Sequence, residues 1–230
     1  MWKIISTATP QLVVAGIKYT IPIAIVSFFF GIIIALITAI IRISHLKGFL
    51  SVVKIIFRFY VWLFRSTPLL VQLFIVFFGL PYLKISHILP NGIKLSPIIA
   101  GIITFSLNTG AYCSETIRAS INSIPKGQWE AAYSIGMTRT KILRRIILPQ
   151  AFRISLPPLS NSFISLVKDT SLAASITVVE MFEVSQQIAA QNYQPLIMYC
   201  LVALLYAIAC SLLSLLQNYL EKITSNYVSK

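Results

Sequence analysis

A chain of 230 residues with 57% apolar and only 11% charged side chains, and a mean hydropathy of +0.83, falls outside the composition of a soluble domain and points to lipid as its solvent. Its formal charge of +13, from 19 Lys and Arg against 6 Asp and Glu, has the size of a nucleic-acid binder's. The positions of the basic residues account for that charge without any nucleic acid.

A bilayer core of about 30 Å takes roughly 20 apolar residues in a helix, and five regions come near that length. The first, 19–41, carries no charge and ends in Ile-Ile-Arg. It is longer than the apolar core of a signal peptide and reads as an uncleaved anchor. The second, 59–80, is interrupted by Arg65. The third, 98–117, holds Glu115, and the fourth, 154–179, holds Lys168 and Asp169. The fifth, 195–216, again carries no charge. The expected fold is all-α: one polytopic membrane domain over residues 1–230 with five transmembrane helices and a cytoplasmic helical segment.

One face of these spans collects Arg42, Lys47, Lys54, Arg58, Arg118, Lys126, Arg139, Lys141, Arg144, Arg145, Arg153, Lys222 and Lys230. The other holds Lys3, Lys18, Lys84 and Lys94, with Glu180 and Glu183. Basic residues favour the cytoplasm, so the N-terminus is expected outside and the C-terminus inside. Cys113, Cys200 and Cys210 lack paired spacing and read as reduced packing residues. His45 and His87 lie in connections on opposite faces, so no His-based metal or catalytic site is expected.

The only extended cytoplasmic segment, 118–150, is where a partner would dock. Pro125 suits the first turn of a helix, with Glu130 near its positive end. Gly136 offers a C-terminal stop. Thr138 then caps a basic amphipathic helix in which Ile142 and Ile146 stack, and Pro149 ends it. Membrane lipid alone would suit such a helix.

The residues of this segment are more specific than that. Glu130-Ala131-Ala132, Gly136 and Ile146-Ile147-Leu148-Pro149 resemble the complete EAA loop of ABC importer permeases. Phe64 to Gln72, Ser123 to Gln128, Pro149-Gln150-Ala151, Leu156-Pro157-Pro158 and Lys168 to Leu172 resemble the polar amino-acid branch of that family. The resemblance implies a type I importer subunit in a bacterial cytoplasmic membrane. It would pair with a second permease copy, identical or related. It would bind ATPase subunits that hold ATP and Mg, and receive solute from an extracytoplasmic solute-binding protein. In that family the loop couples to the ATPase, which assigns coupling to Glu130, Ala131, Ala132, Gly136, Met137 and Arg139. The implied solute is a polar amino acid, with cystine slightly ahead of basic or glutamine-type solutes.

Ionisable groups inside a span are costly and often mark a pathway. Pro158, Asn161, Ser162, Ser165 and Asp169 recur at helical spacing on one face of the fourth region, and Asn108, Tyr112 and Glu115 do so on the third. An amino acid needs an anion for its ammonium and donors for its carboxylate. Gln72, Asn108, Glu115, Asn161, Ser165 and Asp169 are the pathway candidates, with Lys168 and Thr170 as further donors for the carboxylate. Buried ion pairs, such as Glu115 with Arg118 or Arg65, are the competing reading of the charges. Pro157-Pro158 is expected to interrupt the fourth helix.

The chain lacks G-x-x-x-x-G-K-[ST], H-E-x-x-H and G-x-S-x-G, so no catalytic residues and no cofactor of its own are expected. An ATPase-independent channel or secondary carrier is the alternative function. The absence of a detectable inverted repeat weighs against the carrier, and a channel has no need of the 130–149 pattern.

Overall fold

The structure, a computed structural model, describes residues 2–44, 51–83 and 92–225. His45, Lys47, Lys84, His87 and Lys230 lie outside the described residues. Helices follow one another as α1 (Trp2–Ala15), α2 (Ile21–Ile43), α3 (Ser51–Ser66), α4 (Leu69–Phe74), α5 (Pro97–Asn122), α6 (Lys126–Ser134), α7 (Arg139–Ile142), α8 (Leu148–Asp169), α9 (Met181–Asn192) and α10 (Pro195–Ser225). No strand occurs among the described residues.

The packing of α2 on α5 organises the rest. Ser27, Gly31, Ala35 and Ala39 recur every four residues along the buried face of α2, and Ser106, Gly110 and Ser114 do the same on α5. Lipid tails are as apolar as leucine, so helices in a membrane associate through close van der Waals packing between small residues. A Cβ on Gly31 would stand 3.0 Å from Thr109, and one on Gly110 would stand 2.8 Å from Ile34 Cγ2 and 2.9 Å from the Tyr60 hydroxyl. Gly31 meets Thr109, Ile34 meets Gly110, and Arg42 pairs with Glu115. Positions therefore rise together, and the two helices run parallel. The chain between them must recross the bundle.

It does so as a broken element. The expected straight span over 59–80 is replaced by α3 and by a second limb from Leu69 to Tyr82, bent by 112°. Pro68 has no N–H to give Phe64 and biases Thr67 away from helix, and the side chains around the elbow supply the missing donors. Gln72 Nε2 donates to the Phe64 carbonyl at 2.9 Å, to the Thr67 carbonyl at 3.1 Å and to Thr67 Oγ1 at 2.9 Å. The Tyr112 hydroxyl reaches the Arg65 carbonyl at 3.5 Å.

Three other prolines act against expectation. Pro149 does not end the basic helix: the π turn Leu143–Ile147 shifts the bonding register, Leu148 N–H donates to the Leu143 carbonyl, and α8 continues with Pro149 in its first turn. Pro157 and Pro158 lie inside α8 without interrupting it. Proline's φ is helical, so the pair removes two ladder bonds from a 22-residue helix held by its neighbours. The expected 154–179 span thus begins at Leu148 and passes at Asp169 into a 3₁₀ turn, Thr170–Ile176.

Helices α1 and α9 have no counterpart among the expected spans. The helix through Trp2–Ile43 is 42 residues long, or about 63 Å at ~1.5 Å per residue, about twice the apolar thickness of a bilayer. Ala8 and Leu12 of α1 pack with Met181, Ala189, Met198 and Val202 of α9 and α10. Glu180, fully buried, ties this end together. Its Oε1 accepts the Glu183 N–H at 2.9 Å, and its Oε2 accepts the hydroxyls of Tyr206 at 2.8 Å and Thr20 at 3.4 Å. At the opposite end, Ala132 of α6 and Ile142 of α7 pack with Ile121, Ile124 and Ile147.

Replacing Gly110 by Leu drives a side chain into Ile34 and Tyr60. We expect about 1–3 kcal/mol of destabilisation from overpacking, seen as a lowered thermal midpoint of the chain in detergent micelles. Ala at Gly127, which has open space around it, is the matched control and should leave the midpoint in place.

Candidate functional site

Two surfaces stand out: a polar cavity within the bundle and an exposed corner at one end. The cavity, about 470 Å³, lies between the α3–α4 elbow, α5 and α8. That volume is within the roughly 300–1,000 Å³ usual for small-molecule sites. Asn108, Asn161, Ser165 and Asp169 line it together, as do Ser162, Thr67 and Tyr112. Among the described residues, Asp169 is the only charged one in its wall, and neither salt bridge found among them involves it.

The other candidates lie elsewhere. Gln72 is buried behind the cavity with its amide committed to the elbow, and Asn108 donates to Gln72 Oε1 at 3.0 Å. Glu115 does not reach the cavity. Its carboxylate lies between Arg42 and Arg118, with Arg118 Nη2 at 2.7 Å and Nε at 2.9 Å from Oε2. The pairing with Arg118 is the local i,i+3 contact; the pairing with Arg42 follows from the parallel α2–α5 packing. Arg65 instead lies over the Tyr112 ring, 5.4 Å from its centroid. Lys168 does not line the cavity, and Thr170 is buried with its hydroxyl donated to the Val167 carbonyl at 2.7 Å.

A larger cavity, about 750 Å³, is a different place: a groove between α2, α8 and α10 walled by Phe28, Phe29, Ile32, Phe163 and other apolar groups. Among the described residues only Ser160 and Gln217 are polar there, so they offer a zwitterion almost no partner.

The exposed corner is α6, a turn and α7. Gly136 holds φ +76°, its N–H donates to the Tyr133 carbonyl at 2.9 Å, and Met137 N–H donates to the Ala132 carbonyl at 3.1 Å. These two bonds close the helix as a glycine cap does. The helix starts one residue after Pro125, with Glu130 in its second turn. Glu130, Ala131, Gly136 and Arg139 are exposed, whereas Ala132 is buried and Met137 packs on the core beneath. Thr138 begins α7 without a side-chain cap bond. Gln128 and Gln150 exchange amide hydrogen bonds at 3.0 and 2.5 Å, which clamps the start of α6 to the start of α8. Ile135, a large apolar side chain that the sequence reading did not single out, is 76% exposed at the corner's tip.

Residues 28–225 match the family described as binding-protein-dependent transport system inner membrane component. The chain belongs to that family. It is 50% identical over 230 residues, all of this chain and 93% of the relative, to the L-cystine transport system permease protein TcyB of Bacillus subtilis (strain 168). It is 42% identical, over 94% of this chain and 90% of the relative, to the probable amino-acid ABC transporter permease protein YckA of the same organism. Among solved structures, an amino acid ABC transporter crystallised with histidines superposes with a TM-score of 0.85 at 28% identity, covering 94% of this chain and 95% of that one. The MetNI methionine ABC transporter shares the fold at 0.73 and 21% identity, covering 94% and 97%. The chain is thus a membrane permease component of the ABC importer class, as its motif blocks imply.

Removing Glu115 leaves Arg42, whose Nε already lacks a partner, as an unpaired and largely buried cation. We expect Glu115→Ala to cost about 3 kcal/mol, the loss typical of breaking a buried pair. Arg42→Gln in the same chain should recover part of that loss in a double-mutant cycle of denaturant unfolding. Additive effects would show that the pair is not coupled.

Proposed function

We propose that this chain is the permease subunit of an importer for a polar amino acid, L-cystine ahead of glutamine-type or basic solutes, driven by a separate ATPase. The observation that carries the reading is the pairing, in one chain, of a polar cavity bearing one carboxylate that enters no salt bridge among the described residues with an exposed helical corner that carries the EAA pattern. Full-length similarity to an L-cystine transport system permease supports the choice of solute.

In this reading the chain crosses the membrane five times, α3 and α4 together making the second crossing. The N-terminus is outside, and the basic corner faces the cytoplasm. Asp169 takes the solute ammonium, while Asn108, Asn161 and Ser165 offer amide and hydroxyl donors to the rest of the molecule. Glu130, Ala131, Gly136 and Arg139 meet the ATPase directly. Ala132 and Met137 act from beneath, by seating α6 on the ends of α2, α5 and α8. ATP and Mg sit on the partner ATPase, and movement of α6 is passed to α8 through the Gln128–Gln150 clamp and the continuous π turn. A second permease copy completes the pathway, and an extracytoplasmic binding protein delivers the solute by alternating access. A channel or secondary carrier would leave the corner without a purpose.

Affinity capture of the tagged chain from its native membranes should recover an ATPase. Repeated recovery of the chain alone in mild detergent would turn the reading toward a channel or carrier. Gly136→Val, a β-branched residue forced to positive φ at a cost of roughly 1–2 kcal/mol, should uncouple ATP hydrolysis from uptake, whereas Gly136→Asn, which tolerates that backbone, should keep the two coupled. Asp169→Asn should lower L-cystine uptake into vesicles roughly tenfold or more, as removal of one partner of a desolvated charge pair costs about 2 kcal/mol or more. Unchanged uptake would remove Asp169 from the pathway.

A further inference from the structure

A further cavity, about 420 Å³, adjoins the polar one and has the opposite charge. Arg42, Arg58 and Arg65 line it, against the single carboxylate of Glu115. That carboxylate is already shared by Arg42 and Arg118, so the guanidinium charge of Arg58 and Arg65 is not neutralised within the described residues. The two arginines are seven residues apart, two turns along one face of α3, and both are exposed. The buried Nε of Arg42 has no hydrogen-bond partner, and a buried unsatisfied charged donor is costly unless something accepts from it.

Tyr112 lines both cavities. Its ring carries the Arg65 guanidinium and its hydroxyl meets the Arg65 carbonyl. On α5, Asn108 lies one turn before it, on the side of Asp169, and Glu115 one turn after it, toward the α6 corner. A single aromatic side chain therefore separates a compartment with one negative charge from a compartment with excess positive charge.

We propose that Arg58 and Arg65 form an anion subsite that takes the carboxylate of the solute once it has passed Tyr112. The inference rests on the reading of the polar cavity as the solute pathway. A zwitterion held by its ammonium at Asp169 meets, beyond Tyr112, two planar guanidinium forks suited to its carboxylate, that of Arg65 over the Tyr112 ring and that of Arg58 two turns away on the same face of α3. The order of charges gives the two ends of the molecule separate holding points and favours a solute that carries both.

Trp62 lines this cavity and serves as a reporter. With Trp2→Phe and Trp129→Phe in the full chain it becomes the sole indole, and the chain is placed in phosphatidylcholine nanodiscs. Iodide is the anionic probe and acrylamide the neutral one. Replacing both arginines (R58Q with R65Q) should reduce iodide quenching at least roughly threefold, a conservative share of the ~10-fold or greater counter-ion enrichment of a charged cleft. Acrylamide quenching should stay unchanged, which also reports that the fold is intact, and R58K with R65K should restore the iodide effect. L-cystine should shield Trp62 from iodide in the native-arginine chain, whereas cystamine, which lacks the carboxylates, should not.

Equal iodide quenching with and without the arginines would overturn the subsite. Shielding by phosphatidylglycerol in the nanodisc but by no amino acid would assign the cavity to a lipid phosphate and overturn the carboxylate role. Shielding by L-glutamine but not by L-cystine would uphold the subsite and remove L-cystine from the function proposed above.

Discussion

The close approach of α2 and α5 is the constraint on which the other contacts depend. Glycine, alanine and serine at four-residue intervals let two backbones come together where larger side chains would hold them apart, and in lipid that proximity is itself the main source of attraction. The seam brings Arg42 to Glu115 and gives Tyr60 its place against Gly110, its hydroxyl donating to the Leu107 carbonyl at 2.6 Å. Because the seam is parallel, the chain between the two helices must return through the bundle. That requirement puts Pro68 and its elbow beside α5 and so creates one wall of the polar cavity.

Polar residues inside the bundle serve three physical purposes. Gln72 repairs the backbone: it supplies a donor to the carbonyl that Pro68 leaves without one, a necessity where no water is at hand. Glu115 pairs with Arg42 and Arg118 in an ion cluster. Asn161, Ser165 and Asp169 do neither, and they face open space. Asn108 and Tyr112 span two of these purposes, each bonding at the elbow while also lining the cavity. The division follows from partners, and partners are a property of the assembled bundle.

Much of the fold was legible along the chain. Apolar length located the regions that became α2, α5, α8 and α10, and the period of the polar residues on α8 identified the face that lines the cavity, with Asn161, Ser162, Ser165 and Asp169 side by side. The prolines were read less well. Pro68 breaks its helix, whereas Pro149 and the pair at Pro157-Pro158 do not, although each removes the same donor. The outcome turns on whether neighbouring side chains reward a bend, as Gln72 and Asn108 do, or whether a register shift absorbs the proline, as the Leu143–Ile147 turn does. Helices α1 and α9 escaped notice because they carry too few apolar residues in a row to announce a span, and their burial comes from each other and from α10.

The amino-acid order by itself determined that this is an all-helical membrane protein, which ends of its helices are basic, and that residues 123–150 carry the pattern of a coupling loop. These are properties of hydropathy, charge and local helix chemistry, set within a few turns of chain. Only the tertiary structure decided that Glu115 belongs to an ion cluster while Asp169 belongs to a cavity, that Gln72 serves the backbone, and that Tyr112 stands between two compartments of opposite charge. Apart from the local bonds of Gln72, those assignments depend on which side chains meet between segments distant in sequence, and the meeting is governed by the small-residue seam between α2 and α5, whose partner and register no single segment encodes.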